Sequence, residues 1–274
     1  MNWAFSLHLS SDSIKLLQIT DTHLFATDEG NLLSVKTADS FNAVVKAILC
    51  QQVPFEYILA TGDISQDHST ASYLRFAQAI APLKKTCFWL PGNHDFKPNM
   101  RDVFPSAQIK AEEHVLLGEH WQLILLDSQV VGVPHGQLSQ EQLVLLDTKL
   151  ALFPDRYALI LLHHHPLLVG SAWLDQHNLK GADKFWQVIR QHNNVKGIVC
   201  GHVHQDMNVM DNGIRVMATP STCVQFKPNS DDFALDVTSP GWRELELHAN
   251  GDITTEVKRL PDGLYQPDFT SSGY

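Results

Sequence analysis

Residues 86–95 read Thr-Cys-Phe-Trp-Leu-Pro-Gly-Asn-His-Asp. The apolar run Phe88-Trp89-Leu90 has the length of a buried strand and stops at the turn residues Pro91-Gly92. Such a strand delivers an amide oxygen (Asn93), an imidazole (His94) and a carboxylate (Asp95) to one edge of a sheet. Asn is a poor metal ligand alone but a good one among carboxylates and imidazoles. A neighbouring His can then act as an acid, with Asp95 orienting it.

The rest of the chain repeats this arrangement. Ile14 to Thr20 runs into Asp21-Thr22-His23, and Phe55 to Ala60 runs into Thr61-Gly62-Asp63. Tyr157 to Leu162 runs into His163-His164-His165-Pro166, and Val195 to Cys200 into Gly201-His202-Val203-His204. Helical spacing over Thr37 to Gln52 and Ser69 to Ile80 makes the first half strand, helix, strand, helix, strand. That order implies parallel pairing through crossover helices. Ser69 is the expected N-cap of the second helix. In the middle, His114 to Leu117 and Trp121 to Asp127 flank Gly118-Glu119-His120, a hairpin signal that brings in antiparallel strands. Ser139 to Leu150 is expected to be a helix opened by a capping box, Ser139 with Gln142. Lys180 to Gln191 also reads as helical. Hairpins are expected around Asn212-Gly213 and Asn250-Gly251. The expectation is an α/β fold of four layers, αββα. Two mixed sheets pack face to face with helices outside, in one domain over 1–274. Residues 261–274 form a polar tail that is poorly ordered or draped over the surface.

Composition narrows the function classes. The 274 residues are 44% hydrophobic and 18% charged, as in an ordinary globular protein. The net charge of −10 argues against a nucleic-acid or polybasic membrane surface. An acidic protein that handles an anion needs a local positive centre, which bound metal provides. None of the four cysteines forms a Cys-x-x-Cys pair, so they are expected to be buried, reduced thiols of a cytoplasmic protein. No apolar run reaches membrane-span length, and Met1 to Ser13 lacks the features of a secretory signal.

Each cluster is ambiguous alone, since Gly-Asp is a common turn and a lone His is usually packing. Residues two apart on an extended segment point the same way, which would let Asp21 and His23, or His202 and His204, grip one cation. The same alternation sets His164 opposite His163 and His165, so only one of those sets lines a site. Jointly the clusters give a nitrogen and oxygen ligand set with no thiolate, suited to Fe, Mn, Zn or Co. There are too many ligands for one ion, so two metals are expected.

The ordered blocks D-x-H, G-D, G-N-H-D, H-H-P and G-H-x-H resemble the calcineurin-like metallophosphoesterase superfamily. Asp21-Thr22-His23-Leu24-Phe25, Trp173 to His177 and Pro220 to Lys227 look like its bacterial 3′,5′-cyclic AMP phosphodiesterases. The resemblance implies one metal on Asp21, His23 and His204 and another on Asn93, His164 and His202, with Asp63 bridging. His164 is the ligand by alignment from Pro166, with His163 and His165 as alternatives. It also implies a metal-bridging hydroxide attacking phosphorus and converting cyclic AMP to 5′-AMP, which would lower cellular cyclic AMP. His94 acts at the leaving oxygen. His23, Asn93, His94 and His204 lie against the substrate, and Trp173 is the expected purine-facing aromatic. The alternative is another phosphodiesterase or a phosphomonoesterase on the same scaffold. A non-catalytic binding module is disfavoured, because no ligand position is missing.

Overall fold

The computed structural model describes residues 5–7, 13–106 and 108–273. Tyr57–Ala60 and Tyr157–Leu161 are almost wholly apolar because both faces of each strand are covered. Ile58 and Ala60 pack beneath helices Thr37–Gln51 and Thr70–Ile80, while Tyr57 and Leu59 face the second sheet. Likewise Ala158 and Ile160 pack towards helices Gln140–Leu152 and Ala182–Ile189, while Leu159 and Leu161 face inward. Three apolar clusters result, one between the sheets and one under each helical layer. This is the expected αββα order.

The six-stranded sheet runs Ile253–Arg259, Gly241–His248, Ser13–Ile19, Tyr57–Ala60, Thr86–Trp89, Ile109–Lys110. Its last four strands are parallel. The seven-stranded sheet runs Phe5–Leu7, His114–Leu117, Trp121–Leu125, Tyr157–Leu161, Val195–Cys200, Ile214–Ala218, Met207–Asp211. Four central strands are parallel there too, and the hairpin strand His114–Leu117 is antiparallel to its neighbour. The metal-ligand candidates therefore follow three adjacent strands of one sheet and two adjacent strands of the other, at their carboxyl ends. That is where open α/β sheets place ligands.

Local chemistry explains the boundaries. Ser69 caps the second helix by accepting from Ser72 N at 3.1 Å, a cap worth about 1 kcal/mol. Ser139 accepts from Gln142 N at 3.3 Å, but the capping box is only half made. Gln142 Oε1 instead accepts from Asp127 N at 2.8 Å. The helix expected from Lys180 starts at Ala182, because Leu179–Lys180 pairs with Gly136–Gln137 and Gly181 turns with φ 66°. Helix Lys97–Val103 was not expected. Its signal was Pro98 in the first turn, where a missing N–H costs nothing. The segment after Pro261 lies along the surface, where Asp268 N donates to Leu33 O at 2.9 Å and Pro267 is buried.

Candidate metal centre and substrate cavity

The loops after the five strands are stitched together by their backbones. Asp21 N donates to Gly62 O, His23 N to Asp63 O and Gly201 N to His163 O, at 2.9–3.1 Å. Asp21, His23, Asp63, His202 and His204 all adopt left-handed backbone, with φ between 45° and 70°. The expectation that the D-x-H and H-x-H pairs converge by extended-chain alternation is thus corrected. Each side chain is aimed by a turn beyond the strand end. Such backbone costs on the order of 1–3 kcal/mol per residue and collects at functional sites.

The carboxylates are fixed before any ligand binds. Thr20 Oγ1 donates to Asp21 Oδ2 at 2.6 Å, and His202 N donates to the same oxygen at 3.1 Å. His94 N donates to Asp63 Oδ1 at 2.8 Å. Gly92 is required by proximity, because a Cβ there would stand 2.1 Å from Asp63 Oδ1.

Four imidazoles are held by one ring nitrogen so that the other is presented. His23 Nδ1–H donates to Gln66 Oε1 (2.7 Å), His163 Nδ1–H to Thr61 O (2.8 Å) and His204 Nδ1–H to Val224 O (2.8 Å). His164 Nδ1 lies 2.8 Å from Ser128 Oγ. Partners of this kind orient metal-bound histidines. The presented nitrogens converge. His204 Nε2 is 3.2 Å from His23 Nε2 and 3.3 Å from Asp21 Oδ1. His163 Nε2 is 3.2 Å from both Asp63 Oδ2 and Asn93 Oδ1. His164 Nε2 and His202 Nε2 are buried with no hydrogen-bond partner among the described residues.

The histidine run departs from strict alternation because the strand ends at Leu161 and the chain bends. The His163 and His164 rings lie 4.9 Å apart, and His202 sits 5.1 and 4.8 Å from them. His165 is also drawn in, 5.6 Å from His202 and 3.4 Å from Asp175 Oδ1. Counting back from Pro166 put His164 among the ligands, with His163 and His165 as alternatives. In the structure, His163 is the member of the run that reaches both Asp63 and Asn93.

Protonation states fit a cation site. Burial would raise Asp63, but His163 and His94 outweigh it and hold Asp63 well below the usual carboxylate range. Asp21 is also lowered; burial opposes this, and His204 carries it. Burial lowers His23 to about 3 and takes His164 and His202 well below the usual imidazole range. His163 is the exception. Burial would lower it, but Asp63 and then Asp21 raise it to about 9. Ionised carboxylates and neutral imidazoles with unpaired nitrogens are what metal ions require. The described residues group as Asp21–His23–His204, Asp21–Asp63–His163, His163–His164–His202 and His23–Asp63–His94, each with ligand atoms within 4.8 Å. The donors suit two metal ions.

Asp95 was expected to orient His94, and it is anchored to backbone as well. Its carboxylate accepts from Gly92 N (2.9 Å), Ile64 N and Ser65 N (3.1 Å each) and Tyr73 Oη (3.2 Å). It locks the Asn93–His94 turn to the loop after Asp63. Burial and the Asp63 charge push it up to about 7 against the pull of three backbone N–H groups. The His94 ring stands 5.1 Å from that of His23 and lines a cavity of about 440 Å³ over the cluster. Asn93, His202 and Trp173 line the same cavity. Trp173 meets Phe226 and Phe233 edge-on at 4.9 and 5.1 Å, and Phe226 stacks on His204 at 4.3 Å. Sequence reasoning gave no role to Phe226, Gln66, Thr20 or Ser128. Gln66, three residues after Asp63, had a polar side chain to point to it.

Residues 14–206 match the calcineurin-like phosphoesterase family. The chain belongs to that family. This phosphoesterase is 72% identical over 266 residues to the 3′,5′-cyclic adenosine monophosphate phosphodiesterase CpdA of Vibrio vulnificus, covering 97% of each chain. It is 53% identical to the Escherichia coli protein of the same name, covering 95% of each. Its fold is shared with a dimetal phosphatase from Danio rerio (TM-score 0.63, 16% identity, 88% of this chain and 98% of that one). A purple acid phosphatase from yellow lupin is also similar in fold (TM-score 0.64, 12% identity, 96% of this chain and 56% of that one). No described helix is long and apolar enough to cross a membrane.

Proposed function

We propose that the chain hydrolyses 3′,5′-cyclic AMP to 5′-AMP at a centre of two metal ions. The observation that carries the reading is the convergence of Asp21, His23, Asp63, Asn93, His163, His202 and His204 beneath a cavity walled by aromatic rings. The near-full-length similarity to cyclic AMP phosphodiesterases supports that substrate. Asp21, His23 and His204 would hold one ion. Asn93, His202 and a histidine of the triple run would hold the other, and Asp63 would be available to both. His163 is our choice from that run. The ligand set suits Fe, Mn, Zn or Co, and iron is our first choice. The cytoplasm is the compartment we assign, in keeping with four free cysteines.

Bound metal supplies an activated water at neutral pH and offsets phosphoryl charge. The remaining work falls to side chains. His94 gives a proton or positive charge to the 3′ oxygen as its bond to phosphorus breaks. Asp95 holds the turn that carries Asn93 and His94. Trp173, Phe226 and Phe233 receive the base, where stacking is the available attraction. A product assay across cyclic AMP, cyclic GMP, a 2′,3′-cyclic nucleotide, a linear diester and a monoester tests the reading. Preference for either of the last two would overturn it.

Three expectations follow from the geometry. His163→Ala should lower bound metal more than His164→Ala, whose own cost should be about 10–100-fold in affinity if only an orienting partner is lost at 164. Metal analysis with the reverse order would return the ligand role to His164. Trp173→Ala should raise KM for cyclic AMP several-fold with kcat nearly unchanged, and an unchanged KM would remove Trp173 from the base site. Metal uptake by stripped protein at pH 7 should release a proton from His163, whose folded value is raised to about 9. Metal affinity should therefore climb with pH up to about 9, as titration calorimetry in buffers of different ionisation enthalpy would read. No proton release at pH 7 would contradict this.

A further inference from the structure

Trp173 stands on Ala172–Asp175, a helix of one turn with no side-chain cap. A single turn is too short to be stable by propensity alone. Trp173 Nε1 has no hydrogen-bond partner among the described residues. The indole is therefore placed by its ring contacts with Phe226 and Phe233 and by the backbone that carries it.

Asp175 supplies the anchor that this helix lacks. Its Oδ1 accepts from Val169 N at 2.8 Å and its Oδ2 from Gly170 N at 3.1 Å, which ties the end of the helix to the segment leading into it. Oδ1 also stands 3.4 Å from Nε2 of His165, a fully buried ring that stacks on His202 at 5.6 Å and 21°. The carboxylate thus touches both the loop that carries Trp173 and the histidine layer under the cavity. Successive helical residues are turned by about 100°, so a residue two positions before Asp175 points to the other side of the helix. Trp173 lines the cavity from that side, together with His202. At the start of the helix, Ser230 N donates to Ser171 Oγ at 3.3 Å, which joins the same loop to the segment between Phe226 and Phe233.

We propose that Asp175 is a positioning residue for substrate binding, which fixes the Trp173 face that receives the base relative to the histidine layer around His202. Granted the cyclic-nucleotide reading on which this rests, Asp175 acts through Trp173 and not by touching substrate. A carboxylate suits the task because it offers two acceptor oxygens to two backbone N–H groups and an imidazole. Asn would offer one.

Steady-state kinetics of the metal-loaded protein tests it with two substrates, cyclic AMP and 1-deoxyribose 3′,5′-cyclic phosphate, which has the same reacting ring and no base. In Asp175→Ala, KM for cyclic AMP should rise about three- to tenfold, the scale of one lost aromatic contact. Its kcat, and kcat/KM for the base-free substrate, should not change. Bound metal should not change either, because His202 N keeps its own hold on the Asp21 carboxylate. Asp175→Asn, with one acceptor oxygen left for Val169 N, should fall between the native protein and Asp175→Ala. Trp173→Ala/Asp175→Ala should be no worse than Trp173→Ala, since a positioning residue adds nothing once the group it places is gone. An equal fall in kcat/KM on both substrates, loss of metal, or additive effects in the double variant would overturn the proposal and leave Asp175 a structural residue. A native protein that turns over both substrates equally would overturn the base site itself. A native preference for cyclic AMP that survives Asp175→Ala undiminished would overturn the role of Asp175 alone.

Discussion

Asp63→Ala is expected to strip the protein of metal and to abolish turnover, a larger loss than any other single substitution at the site. Asp63 reaches both histidine groups. Its Oδ2 is 3.2 Å from His163 Nε2 and 3.9 Å from His23 Nε2, while Oδ1 accepts from His94 N. Its removal takes away charge between the two proposed ions and unlocks the Asn93–His94 turn together. The drop should exceed the roughly 10²–10³-fold that follows loss of one transition-state hydrogen-bond donor. Elemental analysis of unstripped protein should fall from about two transition-metal ions per chain to well below one. Two retained ions would refute the bridging role.

His94→Ala is expected to separate chemistry from metal binding. Both ions should stay while kcat falls by about 10²–10⁴-fold, the usual contribution of a positioned general acid. His94 lines the cavity, so it is placed to meet substrate. Its backbone N–H, which the substitution preserves, holds Asp63. A substrate with a better leaving group than a ribose oxygen should recover much of the lost rate, since it needs less help from an acid. Metal loss equal to that of Asp63→Ala would instead make His94 a ligand.

The parts of the fold that read clearly from sequence were those set by local composition. Val195–Cys200 and His114–Leu117 lie where their apolar runs said, because burial of both faces leaves no other use for such residues. Ser69 announced its helix because a hydroxyl at that position satisfies a free N–H. The two-stranded pieces at Gly136–Gln137 and Leu179–Lys180 were not legible, because pairs this short are created by tertiary proximity.

In the site, residue type was legible and aim was not. Asp21, His23, Asn93, His202 and His204 stood out as metal-binding chemistry at strand ends. Which of His163 and His164 would approach Asp63 depended on a bend after Leu161 that alternation does not describe. The backbone partners of Asp95 were hidden for a similar reason. Adjacency to His94 said nothing of the N–H group 30 residues earlier in the chain from which its carboxylate accepts. The acceptors that hold His163 and His204 are the carbonyls of Thr61 and Val224, and a carbonyl leaves no trace in a sequence.

The left-handed turns at Asp21, His23, Asp63, His202 and His204 restrict how the centre can be remodelled. Asn, Asp, His and Gly tolerate that backbone best, and other residues adopt it at a cost, as Leu33, Gln52, Lys84 and Tyr265 do elsewhere in the chain. An attempt to retune metal preference by exchanging ligands has, in practice, a short alphabet of Asp, Asn and His at these positions. The chain's turns thus act as a filter on which inorganic chemistries its descendants can reach.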